Sequence, residues 1–232
     1  GIVSTAIDIY TATGYLDKAV DCGTAFLEGR KNKNVTQSLA LALARSGKLQ
    51  AAFDCIADGF RQTNSSPFEA REVRADLLVK IGAYGEALDV YEGLEKANPE
   101  EAFYAISAAE ILCKLGKPDN ALAKLDRAAR VAPLDPSLFA CRVTALSALR
   151  KSADAEAAAI ELVRLQPGRE DSYLLAAQVF ADQRKLDRAL LAVEQGIEAL
   201  GASDLSSDSR RTDSKRLARA AAEPSLSANS LA

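Results

Sequence analysis

The chain has 232 residues, of which 48% are apolar, 29 are basic and 32 are acidic, giving a formal net charge of -3. This balance lacks the basic excess that general binding to nucleic acid or to an anionic membrane surface requires. The apolar content is sufficient for a continuous hydrophobic core.

Six similar segments follow one another over the first 201 residues. Each segment aligns on an alanine early in its second predicted helix, and successive alanines are 33 to 35 residues apart. These alanines are Ala19, Ala52, Ala87, Ala121, Ala155 and Ala189. A glycine precedes each of the first four by five residues, at Gly14, Gly47, Gly82 and Gly116. A proline follows the third, fourth and fifth alanines by twelve residues, at Pro99, Pro133 and Pro167.

The segment from Phe68 to Pro99 is the clearest example of the unit. It predicts two short amphipathic helices joined by a turn at Gly82, and a proline such as Pro99 stops one helix before the next begins. Arg150 and Arg184 stand where the fifth and sixth segments would have the turn glycine. The sequence therefore predicts six helix pairs, over residues 1–33, 34–66, 67–101, 102–135, 136–168 and 169–201.

Four helix starts are marked by a capping residue, in three of them followed by proline. We expect N-caps at Ser66, Asn98 and Asp135, each preceding a proline, and at Asn34, three residues before Gln37. A side-chain oxygen at this position satisfies a backbone N–H that the first turn leaves without a partner.

The pattern resembles the tetratricopeptide-repeat (TPR) family, whose period is 34 residues. In the third segment, Leu78, Ala87, Tyr91 and Pro99 match family positions. The resemblance implies an all-α fold, a right-handed superhelical solenoid of antiparallel helix pairs, over residues 1 to about 201. Arg71 and Arg74 depart from the family, which packs an aromatic residue and a leucine there. We therefore expect looser packing between the second and third repeats.

The composition changes at the end of the sixth segment. Residues 202–232 are rich in Ser, Ala and Arg, with few large apolar residues. Two interpretations are open: a helix over about 209–222 that covers the last repeat, or a disordered linker.

Catalysis, cofactor binding and metal binding are not expected. The sequence has no histidine, and its cysteines, Cys22, Cys55, Cys113 and Cys141, form no C-x-x-C pair. No phosphate-binding glycine loop occurs. We expect reduced cysteines that serve in packing, which favours a cytoplasmic location; a periplasmic or other cell-envelope location is the alternative.

The missing methionine and the hydropathy of the sequence indicate whether the chain is a fragment and whether it enters a membrane. Because the sequence contains no Met, we expect a fragment of a larger protein, and no signal peptide is visible. The longest nearly apolar run, Tyr173 to Ala181, is about half of the ~20 residues that a membrane helix needs. We expect a soluble chain without membrane insertion, and the sequence sets no oligomeric state.

The TPR resemblance implies that the first helix of each pair lines a peptide-binding groove. The expected lining includes Arg45, Glu72, Asp76, Lys80, Ile106, Glu110, Lys114, Thr144 and Gln178. Arg45, Lys80 and Lys114 occupy equivalent positions and would form a basic ladder that meets an acidic peptide or a chain terminus. The alternative interpretation is that Asp76 with Lys80, and Glu110 with Lys114, are ordinary i, i+4 ion pairs on exposed helices.

The predicted function is a non-enzymatic scaffold or adaptor that binds a protein or peptide partner in this groove. One alternative is a substrate-selecting module of a larger enzyme, such as a glycosyl- or sulfotransferase. The other is a nucleic-acid-binding helical repeat, which the acidic balance disfavours, so no nucleic-acid partner is expected.

Overall fold

The computed structural model describes residues 1–63 and 65–203, and over these residues the chain is all-helical, as predicted, with no strand. The helices are α1 (Ile2–Ala12), α2 (Leu16–Leu27), α3 (Lys33–Arg45), α4 (Leu49–Gln62), α5 (Pro67–Lys80), α6 (Tyr84–Ala97), α7 (Ala102–Lys114), α8 (Pro118–Val131), α9 (Pro136–Ala148), α10 (Ser152–Leu165), α11 (Glu170–Asp182) and α12 (Leu186–Ser203). The helix predicted over about 209–222 lies outside the described residues.

The described helices belong to two compact units, Gly1–Val131 and the part that begins at Ala132. In the first unit, α1 to α8 form four hairpins, and the second helix of each hairpin packs on the first helix of the next. The first helices also pack on one another, α1 on α3 and α3 on α5. In the second unit, α9 with α10 and α11 with α12 form two hairpins, and α11 packs on both α9 and α10.

A residue in the left-handed conformation closes the turn inside every hairpin. Four of these are the glycines Gly14, Gly47, Gly82 and Gly116, with φ between +68° and +84°. Arg150 and Arg184 adopt the same conformation, at +57° and +59°. In all six turns the following residue donates its backbone N–H to the carbonyl five residues earlier, over 2.9 Å. This bond belongs to the Schellman motif, which explains why glycine recurs at the turn.

Replacing Arg150 with glycine is expected to raise the free energy of unfolding by roughly 0.5–1 kcal/mol. The left-handed conformation costs a residue with a Cβ about 1–2 kcal/mol, and the greater freedom of glycine in the unfolded chain offsets part of that gain. Urea denaturation measures the change. Ser147→Gly, inside α9, is the control and should lower stability by about 0.5 kcal/mol. A destabilised Arg150→Gly variant would show that the side chain contributes more than its backbone strain costs.

The predicted helix starts are partly confirmed. Ser66 caps α5, where its Oγ accepts from Phe68 N at 3.2 Å, and Asp135 caps α9, where its Oδ1 accepts from Ser137 N at 2.8 Å. The other two predictions are wrong. The cap of α3 is Asn32, whose Oδ1 accepts from Val35 N at 3.1 Å, and Asn34 is already helical.

At Asn98 the chain makes a turn and does not begin a helix. The backbone N–H of Glu101 bonds to the carbonyl of Asn98 at 3.1 Å, which places Pro99 at the second position of a β-turn. Helix α7 begins only at Ala102. Pro133 and Pro167 occupy the same position in equivalent turns, so these three prolines end a hairpin, as predicted, and do not start the next helix.

Small residues bring the helices of each hairpin close together. Of the six alanines on which the segments align, the first five, Ala19, Ala52, Ala87, Ala121 and Ala155, are at most 1% exposed, whereas Ala189 is partly exposed. In the first unit they pack among larger side chains in successive clusters between neighbouring helices. The largest fully buried side chains there are Ile7, Ile56, Phe60, Leu78, Leu94 and Leu125. Burial of apolar side chains is the dominant favourable contribution to folding.

Ion pairs join the second helices of neighbouring hairpins. In the first unit, Glu95 of α6 has a side chain only 5% exposed and contacts Lys124 at 2.7 Å and Arg127 at 3.0 Å, both on α8. In the second unit, Glu156 of α10 contacts Lys185 and, at 2.5 Å, Arg188. The two networks have the same sequence separations, 29 and 32 residues. Each links consecutive repeats through a carboxylate that is largely removed from water.

Candidate functional site

The predicted groove residues belong to both units. Arg45, Glu72, Asp76, Lys80, Ile106, Glu110 and Lys114 lie in the first, whereas Thr144 and Gln178 lie in the second. All are at least partly exposed except Ile106, which is 6% exposed. Thr144 and Gln178 make local contacts, Thr144 Oγ1 donating to Ala140 O and Gln178 Nε2 to Asp182 Oδ1.

Helices α5 and α7 present the richest set of these residues. Glu72, Asp76 and Lys80 are four residues apart on α5 and share one side of that helix. Phe103, Ile106, Glu110 and Lys114 likewise share one side of α7. Together these seven residues define what we call the α5–α7 face. Phe103 is 49% exposed, the highest exposure of any phenylalanine among the described residues.

Two buried tyrosines hold the carboxylates of α5. The hydroxyl of Tyr91, from α6, donates to Asp76 Oδ1 at 2.5 Å. The hydroxyl of Tyr104, from α7, donates to Glu72 Oε1. The ring of Phe103 packs edge-on against both tyrosines, with centroid distances of 6.3 and 5.8 Å. These contacts fix the orientation of the polar groups on the α5–α7 face before any partner arrives.

Burial of the tyrosines changes their acidity. It raises the pKa of Tyr104 from 10.0 to about 12, and the hydrogen bond to Glu72 acts in the same direction. The pKa of Tyr91 is raised further, first by burial and then by the hydrogen bond to Asp76. Both causes disfavour the phenolate, because a negative charge would be desolvated beside a carboxylate. The two phenols therefore stay protonated donors at neutral pH.

This shift predicts a loss of stability at alkaline pH. In the unfolded chain the phenol of Tyr104 loses its proton near pH 10, whereas in the folded chain it keeps it to about pH 12. Above pH 10 the unfolded state binds fewer protons, so the free energy of unfolding falls as pH rises. Urea titrations between pH 8.5 and 11 should show a shallower fall for Tyr104→Phe than for the unaltered chain. Tyr15→Phe, at a 58% exposed position, is the control. If the free energy of unfolding falls equally steeply with pH in all three chains, Tyr104 is not the source of the alkaline loss.

The three residues of the predicted basic ladder each end a helix. Arg45, Lys80 and Lys114 are the last residues of α3, α5 and α7. A positive charge in the last turn interacts favourably with the helix dipole, by about 0.3–1 kcal/mol at low ionic strength. Their equivalent spacing therefore has a structural cause as well as a possible role in binding, and their alignment along a groove stays a prediction.

The ion-pair interpretation is confirmed for one pair and wrong for the other. Lys114 Nζ lies 2.9 Å from Glu110 Oε1, and the hydrogen bond between them raises the pKa of Lys114. Asp76 instead accepts from Tyr91. Among the residues that the structure describes, Lys80 and Arg45 take part in no ion pair. Lys80 is thus the cation on the α5–α7 face whose charge is not neutralised by a neighbour.

Phe103 and Tyr104 did not emerge from the sequence as site residues. Neither occupies a position by which the family is identified, and the hydrogen bond of Tyr104 to Glu72 spans 32 residues. The only local signal is an adjacent aromatic pair just after the Pro99 turn.

Two further observations concern the cysteines and the lengths of the helices. No disulfide joins Cys22, Cys55, Cys113 or Cys141, and burial raises the pKa of the Cys55 thiol from 9.0 to about 11. A thiol with a raised pKa is a poor nucleophile, in keeping with a packing role. Among the described helices, none has the length and apolar character needed to cross a membrane.

Known structures resemble this chain although no protein-family model and no curated protein matches it. A thermophilic TPR protein from Thermus thermophilus aligns with 80% of this chain and all of its own, at 20% identity and a TM-score of 0.58. A TPR protein from Parabacteroides merdae aligns over 97% and 95%, at 17% identity and a TM-score of 0.57. YrrB, described as a TPR protein with an unusual peptide-binding site, aligns over 78% and 96%, at 21% identity and a TM-score of 0.50.

Proposed function

This chain has the fold of the tetratricopeptide-repeat proteins, and from that premise we propose that it is a non-enzymatic adaptor that binds a partner polypeptide on the α5–α7 face. The observation that carries the proposal is Phe103, a half-exposed aromatic ring on the same side of α7 as Glu110 and Lys114. Buried or half-buried aromatic anchors dominate binding energy in protein interfaces. That YrrB is described as having a peptide-binding site supports a peptide as the kind of ligand.

One cation on the face has no ion-pair partner among the described residues and can contact an acidic residue of the partner segment. Glu72 and Asp76 already accept hydrogen bonds from tyrosines, and Glu110 is paired with Lys114. Lys80 is the cation left for an incoming carboxylate. The tyrosine hydrogen bonds lower the cost of binding because the polar groups around Phe103 are already ordered.

Site-specific crosslinking tests the proposal. A photoreactive phenylalanine analogue at position 103 should capture a polypeptide from cell extract, which mass spectrometry then identifies together with the crosslinked segment. The same analogue at position 160, where Ile160 is 50% exposed, is the control and should not capture that segment. Capture of the same segment at both positions would contradict a specific site.

Calorimetry with the identified segment then measures the contribution of each residue. Phe103→Ala and Lys80→Ala are each expected to weaken binding at least tenfold, with the melting temperature of Lys80→Ala unchanged. Lys96→Ala is the matched control, since Lys96 is also an exposed lysine in the last turn of a helix, but on α6. Unchanged affinity in both test variants, or an equal loss in the control, would end the assignment to this face.

The remaining proposals concern the cellular compartment and the two alternative functions. The four thiols favour a reducing compartment, and we place the protein in the cytoplasm. The alternative that the chain is a substrate-selecting module of a larger enzyme stays a prediction. Reading the full open reading frame would test it. The nucleic-acid-binding repeat stays a prediction that binding to an RNA pool at low salt would decide.

A further inference from the structure

A second candidate site lies between α4 and α5, at the joint where the sequence predicts looser packing. Arg71 and Arg74 occupy positions at which the family places an aromatic residue and a leucine, and here both are exposed. A cleft of about 270 Å³ is present at this joint. Its lining consists of Gln50, Phe53, Asp54, Ile56, Ala57, Ala70, Arg71 and Arg74. The cleft thus combines an apolar wall with two cations, at positions where the family has large apolar groups.

The arginines are not neutralised within the described part of the chain. The guanidinium of Arg74 lies over the ring of Phe53, 4.0 Å from its centroid, in a cation–π contact. Neither Arg71 nor Arg74 forms an ion pair with a described residue. The acid that lines the cleft, Asp54, accepts a hydrogen bond from Gln50 Nε2 at 2.9 Å.

Other carboxylates near the joint form ion pairs or accept hydrogen bonds. Glu69 pairs with Lys33 at 2.7 Å, and Asp58 pairs with Arg61 at 2.5 Å. Glu72, the neighbour of Arg71, accepts from Tyr104. The cleft lining therefore carries two cations, Arg71 and Arg74, against one carboxylate, Asp54, and neither arginine is held in an ion pair with a described residue.

We propose that this cleft binds an acidic side chain of a partner polypeptide, with an adjacent apolar side chain packed against Phe53. Guanidinium groups bind carboxylates through paired, charge-assisted hydrogen bonds, and their planar geometry makes this contact directional. The stacked Arg74 is held in place by Phe53, so less side-chain entropy is lost on binding. Phe53, Ile56, Ala57 and Ala70 supply the apolar surface for the adjacent residue.

The cleft is distinct from the α5–α7 face. On α5, successive residues are rotated by about 100°, so Arg71 and Arg74 point about 100° and 160° away from Glu72. The two sites are on different sides of one helix, and either can exist without the other. A partner that wraps around α5 would use both, which separate experiments can distinguish.

The test uses the full chain labelled with ¹⁵N and two peptide libraries with capped ends. In one library every hexapeptide contains Leu-Glu at its centre, and in the other Leu-Gln, with the remaining positions randomised without cysteine. The Leu-Glu library is expected to shift backbone amide signals of residues 50–57 and 70–74. Arg71→Gln and Arg74→Gln should each weaken this binding at least tenfold, and the Leu-Gln library should produce no shifts there.

The controls separate binding from folding. Arg61→Gln alters an arginine on α4 that is already paired with Asp58, and it should bind as the unaltered chain does. Arg71→Gln keeps the stack of Arg74 on Phe53, so it tests the proposal even if Arg74→Gln unfolds. Equal shifts from both libraries, or undiminished binding by Arg71→Gln, would overturn the proposal. Shifts only at the α5–α7 face would overturn it while supporting the adaptor site.

Discussion

Replacing Lys124 with alanine is expected to lower the free energy of unfolding by about 3 kcal/mol. Its ammonium group contacts Glu95, whose side chain is 5% exposed, and also Glu92 at 3.0 Å. Burial lowers the pKa of Lys124, but its hydrogen bonds to the two carboxylates outweigh burial and raise it overall. Removing one member of a buried pair typically costs about 3–5 kcal/mol, because the other charge is left without compensation. The low end applies because Arg127 still contacts Glu95.

Urea denaturation of three variants separates burial from simple charge removal. Glu92→Ala removes a partner that is 35% exposed, and it should cost no more than about 1 kcal/mol. Changing Glu95 to Leu and Lys124 to Met together should recover most of the loss, because an apolar pair of similar volume needs no counter-charge. If Lys124→Ala and Glu92→Ala cost the same, the network is a surface feature.

Replacing Gly59 with alanine is expected to destabilise the chain by roughly 1–3 kcal/mol, the usual range for overpacking. A Cβ at this position of α4 would lie 2.6 Å from Cγ2 and 2.7 Å from Oγ1 of Thr36 on α3. Thr36 has no room to move, since it is 2% exposed and its hydroxyl donates to Asn32 O at 3.0 Å. A β-branched side chain also has few alternative rotamers.

Gly93 provides the matched control for this substitution. It lies inside α6, is exposed, and a Cβ there would meet nothing within 4 Å. Gly93→Ala should therefore raise stability by up to about 1 kcal/mol through helix propensity alone. The double variant Gly59→Ala with Thr36→Ala should lose less stability than the sum of the single variants, because the clash is shared. If the losses of stability in Gly59→Ala and Thr36→Ala add up in the double variant, the destabilisation by Gly59→Ala does not come from a clash with Thr36.

Local signals in the sequence predicted most of the helix pattern. Glycine at the hairpin turns, and caps such as Ser66 and Asp135, act within a few residues of the chain. The predictions at Asn34 and Asn98 are wrong for different reasons. At Asn34, the actual cap is another asparagine two residues earlier, Asn32. An asparagine before a proline suits a β-turn as well as a helix start, and only the hydrogen bond from Glu101 N to Asn98 O distinguishes the two.

Features that depend on distances between helices could not be read from the sequence. The partners of Asp76 and Glu72 are tyrosines 15 and 32 residues away, and helical periodicity cannot indicate which helix faces which. The exposure of three large apolar residues of α12 is another such feature: Leu186, Leu190 and Ile197 are 44–64% exposed. No described helix follows α12 to cover this side.

The ion pairs between second helices have a consequence for how such a chain can change its number of repeats. Glu95 and Glu156 each contact two cations 29 and 32 residues later, on the next second helix or, for Lys185, immediately before it. Duplicating or deleting one repeat at either joint would separate a shielded carboxylate from both cations at once. Gains and losses of repeats should therefore be tolerated best where no such carboxylate links the second helices. The joint between α6 and α8 and the joint between α10 and α12 should be inherited intact.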